Sequence, residues 1–380
     1  MHFPPVLLED WLRLYYFDND ADLSSSGAEN YSLGELREML GIRSEELDAL
    51  LFRDSHTLGG AGLRQALADR FLGGATERVM VSHGSTEANF LVQTALLRPG
   101  DEVVILDPFY QQLYSIAESI GCQLRRWHLR YERGYRPDFD ELAALMGPRT
   151  RMVIVNFPHN PTGATLTPDE QAELVRRCAQ VGAYLVWDAA FAELAHDAPP
   201  LPDPVLSYDR ALSMGTLSKA YGLPGLRVGW CFAAPELLEP FITLRDYTLI
   251  ALSPLTELLA ERVIRQGDLL VEPRRQQGLR HRQRVDAWIA EHREHVEWVR
   301  PASGVCGFPR FRADLDVDAF CHRLMAEHRV LLVPGSCFRQ PRHARLGFGC
   351  PEAELERGLA AMSALLRATP PAAPPPGPPA

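Results

Sequence analysis

No stretch of this 380-residue chain approaches the run of about 18 apolar residues that a membrane-crossing helix needs. Its first residues, MHFPPVLLEDWLRLYY, lack the basic start and long apolar stretch of a secretory leader. Both absences favour a cytoplasmic protein with no membrane partner. Cysteine is scarce: seven are scattered along the chain, none in a CxxC or zinc-ligand spacing, which argues against a disulfide framework and for a reducing compartment. Basic charge is in deficit, with 39 Lys and Arg against 49 Asp and Glu and a net charge of −10, so a phosphate backbone would be repelled and nucleic acid is not an expected partner. No fixed-period repeat is visible, which sets solenoids and propellers aside. What is present is ordinary: 46% hydrophobic and 23% charged residues, the balance of a globular protein with a substantial core. The length suggests about two domains.

Between Glu77 and Ala233 short apolar runs alternate with longer helical patterns, the arrangement of parallel strands joined by crossover helices. The runs are Arg78–Ser82, Glu102–Leu106, Arg151–Asn156, Ala183–Asp188, Ala211–Met214 and Arg227–Phe232. They are rich in Val, Ile and Leu because a parallel strand is covered on both faces. After Pro254 long helical stretches take over, followed by strand-like runs at Cys306–Phe311, Val330–Val333 and Ala344–Phe348, with helices expected over 315–328 and 351–367. The basic run Arg274–Arg284 reads as a solvated helical face. His292 and His295 have helical i, i+3 spacing but no third ligand nearby, so they read as surface residues and no metal is expected.

Five segments carry residue types suited to holding an anionic aromatic cofactor and bonding to it covalently. Ser82–Phe90 (SHGSTEANF) passes from strand to helix and sets Gly84, Ser85 and Thr86 where backbone N–H groups and hydroxyls cradle a phosphate; taken alone, a plain helix cap has the same composition. Ser213–Gly229 (SMGTLSKAYGLPGLRVG) places Lys219 among Thr216, Ser218 and Arg227, and cationic neighbours lower an amine pKa toward the neutral nucleophile. Asp188 ends an apolar strand, at the carboxyl edge where open α/β sheets bind ligands. Asn156–Gly163 (NFPHNPTG) is a turn that aims Asn160 into the same crevice. Arg345, in ARLGFG, suits bidentate capture of a carboxylate.

Together these segments resemble the fold-type I pyridoxal 5′-phosphate (PLP) enzymes of the class I/II aminotransferase family, over residues 20–367. The resemblance implies an α/β fold with a large domain on a mostly parallel seven-stranded sheet (46–255) and a smaller α+β domain from both chain ends (1–45 and 256–367). The Pro- and Ala-rich tail at 368–380 reads as disordered. It further implies PLP as cofactor and a homodimer with shared sites. By the same similarity Lys219 carries the cofactor, Asp188 pairs with its ring nitrogen and Asn160 with its ring oxygen. Tyr110 would stack on the ring, Gly84, Ser85, Thr86, Thr216, Ser218 and Arg227 would hold the phosphate, and Arg345 would bind the substrate carboxylate.

Two departures set the chain apart from an ordinary member. Phe191 stands where a tyrosine commonly bonds the ring oxygen, and FRDSHTLGG, with Asp54, stands where a tyrosine would often reach the partner's phosphate. The segments LEDWLRLYYF, DLSSSGAENYSLGELR, LLFRDSHTLG, LVWDAAFAEL and LRDYTLIALSPL are similar to those of the capreomycidine-forming cyclases of peptide-antibiotic and streptothricin-type pathways. That similarity implies a β-hydroxylated L-arginine substrate (3-hydroxy or 3,4-dihydroxy), β-elimination and closure of a cyclic guanidine, a lyase-type reaction. A guanidinium calls for a carboxylate, and Glu9, Asp10, Glu29, Asp54 and Asp246 are the candidates, with Ser24, Ser25 and Ser26 lining the substrate entrance and Ser25 and Gly27 expected among the substrate-binding residues. An aminotransferase acting on an arginine-like amino acid with 2-oxoglutarate shares every cofactor residue and stays open. A DNA-binding regulator on this fold is disfavoured by the charge balance, and a dinucleotide site by glycines that precede a strand instead of following one.

Overall fold

The computed structural model describes residues 2–368; of the expected tail only Ala368, the last residue of a helix, falls inside that range. The central sheet has seven strands: β1 (Val79–Ser82), β2 (Glu102–Asp107), β3 (Gln123–His128), β4 (Thr150–Asn156), β5 (Tyr184–Asp188), β6 (Ala211–Thr216) and β7 (Gly229–Phe232). Their spatial order is β1-β7-β6-β5-β4-β2-β3, with β7 antiparallel to both neighbours and the rest parallel. Every residue of β5 and β6 is buried, as continuous apolar runs covered on two faces require. β3 is absent from the apolar runs because its sequence, QLRRWH, is that of an edge strand: only Trp127 is fully buried, while Arg125 and Arg126 keep the open edge charged.

The parallel strands β2, β4, β5 and β6 end at Asp107, Asn156, Asp188 and Thr216. The chain leaves each of these ends toward one crevice, the position at which open α/β sheets take ligands.

Both chain ends build the structure over that crevice. Ala21–Asp22 pairs in parallel with Val330–Leu331, and Ala344–Gly347 lies antiparallel between Cys306–Gly307 and Val333–Pro334. The Cys306–Phe311 run is thus two short strands, since Arg310–Phe311 pairs instead with Val296–Glu297. The first helix, Leu7–Tyr15, buries Leu8 and Trp11, and the indole N–H of Trp11 donates to the Leu332 carbonyl at 2.9 Å.

Two sequence expectations are corrected in the long helix Gly267–Glu291 and just after it. The basic run is not simply a solvated face: Arg282 is buried and makes a two-pronged bond to Asp197, while Arg274 pairs with Glu29 over the Tyr31 ring. His292 is not a surface residue; it is buried, stacked on Trp288 at 4.8 Å, with Nδ1 3.0 Å from the Trp288 carbonyl. Among the described residues no group of three or more His, Cys, Asp or Glu is arranged to hold a metal ion.

Candidate active site

A cavity of about 600 Å³ opens at the carboxyl edge of the sheet. Its lining brings together Gly84, Ser85, Thr86, Tyr110, Asn160, Asp188, Thr216, Ser218, Lys219, Arg227 and Arg345, segments up to 261 residues apart in sequence (84 to 345). Glu9, Ser25 and Gly27 line it too. Asp54 does not: it lies on an exposed stretch outside the cavity of the single chain. Asp10 pairs with Arg13, Glu29 is taken by Arg274 and Gln277, and Asp246 is exposed, so Glu9 is the carboxylate among the five that faces the cavity.

One end of the cavity is built for an anion. The helix Gly84–Leu96 starts there, and its N-cap, His83, makes no side-chain capping bond. Gly84 is in the left-handed region at φ +77°, and a Cβ on it would stand 2.8 Å from an Arg227 nitrogen. A Cβ on Gly229 would come within 2.6 Å of the Ser85 nitrogen, so the bare glycines let strand, helix start and guanidinium converge. The first-turn acid, Glu87, is spent on the His83 backbone and on Arg245. Arg227 therefore faces a positive helix end, its hydrogen bond running to the Pro224 carbonyl and no carboxylate within ion-pair distance among the described residues. Two positive groups facing one space fit a phosphate between them. The Thr216 hydroxyl, 2.9 Å from Ser218 Oγ, borders the same space.

The middle of the cavity holds the acid and the amine. Asp188 is buried, accepts from the Ala190 N–H at 2.9 Å, and its pKa is pushed up to about 6 by burial, with Ala190 and Lys219 opposing. Burial first, and then the Arg345 charge, brings the Lys219 amine down to about 8. A buried carboxylate that is costly to ionise fits a cationic ring N–H, which would stabilise its charge. Asn156 fixes both neighbours: its amide donates to the Asp188 carbonyl at 2.9 Å and its oxygen accepts from the Asn160 N–H at 2.8 Å. Nothing in the motif pattern beyond the strand-ending position distinguished Asn156. The Phe191 ring lies 5.7 Å from the lysine nitrogen and offers no hydroxyl.

The far end suits an amino acid. Arg345 is buried; one terminal nitrogen donates to the Ser24 carbonyl at 2.6 Å, another to Asn160 Oδ1 at 3.2 Å, and Nε has no hydrogen-bond partner among the described residues. An unpaired guanidinium N–H in a buried place is an opening for a carboxylate. Beyond it, the Tyr110 hydroxyl donates to Glu9 Oε1 at 2.9 Å. His159 beneath this wall is structural: its ring nitrogens meet Thr162 and the Pro108 carbonyl, and burial drives its pKa down to about 3, leaving it neutral.

The aminotransferase class I and II family model matches residues 29–362. Over 364 residues the chain is 49% identical to a capreomycidine synthase of Streptomyces vinaceus, covering 95% of this chain and 93% of that protein. It is 30% identical over 315 residues to the arginine–pyruvate transaminase AruH of Pseudomonas aeruginosa, covering 79% and 80% of the two chains. Among solved structures, the PLP-dependent cyclase OrfR superposes with a TM-score of 0.92 at 44% identity, over 97% of this chain and 98% of that one. With its fold-type I architecture, the chain belongs to the class I and II aminotransferase family.

Proposed function

We propose that this protein is a PLP-dependent cyclase that converts a β-hydroxylated L-arginine into capreomycidine or its hydroxylated form. The observation that carries the reading is that one cavity joins an amino acid site, Lys219 and Arg345, to a carboxylate, Glu9, that faces it from the first helix. The 49% identity to a capreomycidine synthase and the 44% identity to OrfR support it.

Ser85, Thr86, Thr216, Ser218 and Arg227 would hold the phosphate, with Gly84 leaving room for it. Asp188 would keep the ring nitrogen protonated, Asn160 would bond the ring oxygen and Tyr110 would cover the ring. The cofactor, once bound, supplies an electron sink for the charge developing at Cα. Arg345 holds the substrate carboxylate, with Ser25 and Gly27 beside it. Lys219, displaced by the substrate amine, takes the proton from Cα and later returns one. Between these transfers the β-hydroxyl leaves as water, taking up the proton that a guanidine nitrogen held at Glu9 gives up as it adds at Cβ. The amino group stays on the product, so no keto acid takes part.

The segment around Leu51, Phe52 and Asp54 and that around Tyr247, Leu249 and Ile250 expose large apolar side chains and are joined through Arg245, which donates to the Thr57 carbonyl. A second copy of the chain covering them would make a homodimer and carry Asp54 toward the neighbouring cavity. No helix among the described residues is long and apolar enough to cross a membrane, and we place the enzyme in the cytoplasm with a peptide-antibiotic or streptothricin-type pathway.

The likeness to AruH gives the aminotransferase reading its support. The two separate on the co-substrate: with L-arginine and either pyruvate or 2-oxoglutarate the cyclase forms no alanine or glutamate, whereas an aminotransferase forms one of them in step with the keto acid of arginine.

A further inference from the structure

Lys219 has a partner that the cofactor motif does not contain. Its amine donates to Ser26 Oγ at 2.9 Å, the single hydrogen bond of that amine among the described residues. The other near neighbour, Phe191, presents only its ring.

Ser26 is held in place independently of the lysine side chain. The Ala28 N–H donates to the Lys219 carbonyl at 2.9 Å, and a Cβ on Gly27 would stand 3.0 Å from the Ser218 carbonyl oxygen. On the other side Arg345 grips the Ser24 carbonyl, and a Cβ on Gly347 would come within 2.0 Å of the Ser25 carbonyl oxygen. The segment is thus threaded between the Arg345 strand and the Lys219 turn, and the Ser26 side chain is buried at 3% exposure. Its backbone cannot drift without moving both, which leaves the hydroxyl only its rotation about χ1.

A lysine released from the cofactor regains a flexible four-carbon stem, and a misplacement of about 1 Å in a reacting group can cost on the order of a hundredfold in rate. We infer that Ser26 is a positioning residue for the released Lys219: its hydroxyl holds the amine at one point while the amine removes the Cα proton and, after exchange with solvent, returns one. In that step the Cα–H bond breaks and its electron pair stays with the carbon. The proton forms a new N–H bond on Lys219, and the resulting ammonium donates to Ser26 Oγ. Because the same segment meets Arg345, the placement of the base is tied to the placement of the substrate carboxylate. This inference rests on the reading that the chain deprotonates an amino acid at Cα.

The test is a graded series, wild type, S26C and S26A, in which the acceptor weakens and then disappears. The holoenzyme is given L-arginine in D2O, which lacks a β-hydroxyl and so reports Cα exchange alone, by NMR. Exchange should slow by about 10- to 100-fold in S26A, with S26C between and the apparent KM within about twofold. A second readout needs no substrate: the pH dependence of the rate at which each apoenzyme takes up PLP. Its midpoint should fall in S26A, because a buried ammonium loses its acceptor. Equal exchange rates across the series, a loss that appears only in KM, or an unmoved midpoint overturns the inference. If the wild type does not exchange L-arginine, deprotonation requires the β-hydroxyl, and the uptake midpoint alone decides for or against Ser26. S26C keeps the test open should S26A fail to fold.

Discussion

The hydroxyl of Tyr110 donates to Glu9 Oε1 at 2.9 Å, joining the first helix to the wall of the cofactor cavity across 101 residues of sequence. Burial, and next the Glu9 charge, raises the Tyr110 pKa well above its ordinary value, so the phenol keeps its proton. Among the described residues no hydrogen bond reaches the second Glu9 oxygen, which leaves it for a cationic tail.

E9Q keeps an acceptor for Tyr110 but removes the charge. A hydrogen bond to a charged group contributes about 1.5–3 kcal/mol, so KM for a hydroxylated arginine should rise by about 10- to 150-fold. The visible spectrum of the bound cofactor should stay unchanged. Steady-state kinetics with a parallel spectrum checks both; an unchanged KM would remove Glu9 from the guanidine site.

Asp188 makes the apoenzyme pH-sensitive in a defined direction. Its folded pKa is raised to about 6 from 3.8, so its favourable contribution is complete below 3.8 and is lost as pH rises through about 6. D188N retains an acceptor for the Ala190 N–H and carries no charge. The melting temperature of apo D188N should therefore exceed that of the wild type at pH 8 and converge with it toward pH 4. Adding PLP at pH 8 should reverse the order, because the variant lacks the partner for the ring nitrogen. Thermal melts with and without PLP decide this.

Arg227 and the start of helix Gly84–Leu96 face one space without an acid between them. R227Q should weaken PLP binding by at least about tenfold, as loss of a charge-assisted bond implies. It should leave the fold intact, since the side chain's one internal bond is to an exposed carbonyl. Equilibrium titration of apoenzyme with PLP measures it, and undiminished affinity would contradict the phosphate assignment.

With the cofactor placed as proposed, Phe191, whose ring lies 5.7 Å from the Lys219 nitrogen, would leave the ring oxygen without a phenol donor. F191Y would supply one, favouring the deprotonated form of the lysine-bound cofactor, so the pH at which its visible band titrates should fall. A titration that does not move would show that position 191 does not face the ring oxygen.

The chemistry of this site was legible where function dictates residue type at a strand end. Lys219, Asp188 and Asn160 each follow or end an apolar run of the central sheet, and Arg345, inside the strand Ala344–Gly347, meets them at one cavity. Less legible was whatever depends on long-range placement. Edge strand β3 hides behind its arginines, and Asn156 looks like one more strand residue until its amide meets Asp188. Ser26 is one of three consecutive serines, and only the thread between Arg345 and Lys219 shows which of them meets the amine. Among five acids in similar segments, the turn of the first helix selects Glu9 by leaving Asp10 to Arg13.

The most direct test of the central claim is mass spectrometry of the product formed from 3-hydroxy-L-arginine in D2O by the PLP-loaded enzyme, with no keto acid present. Cyclisation by proton removal, loss of the hydroxyl and reprotonation predicts a product that has lost one water, kept every nitrogen and gained one deuterium bound to carbon at Cα. Conversion that waits for 2-oxoglutarate and yields glutamate and a keto acid would contradict it.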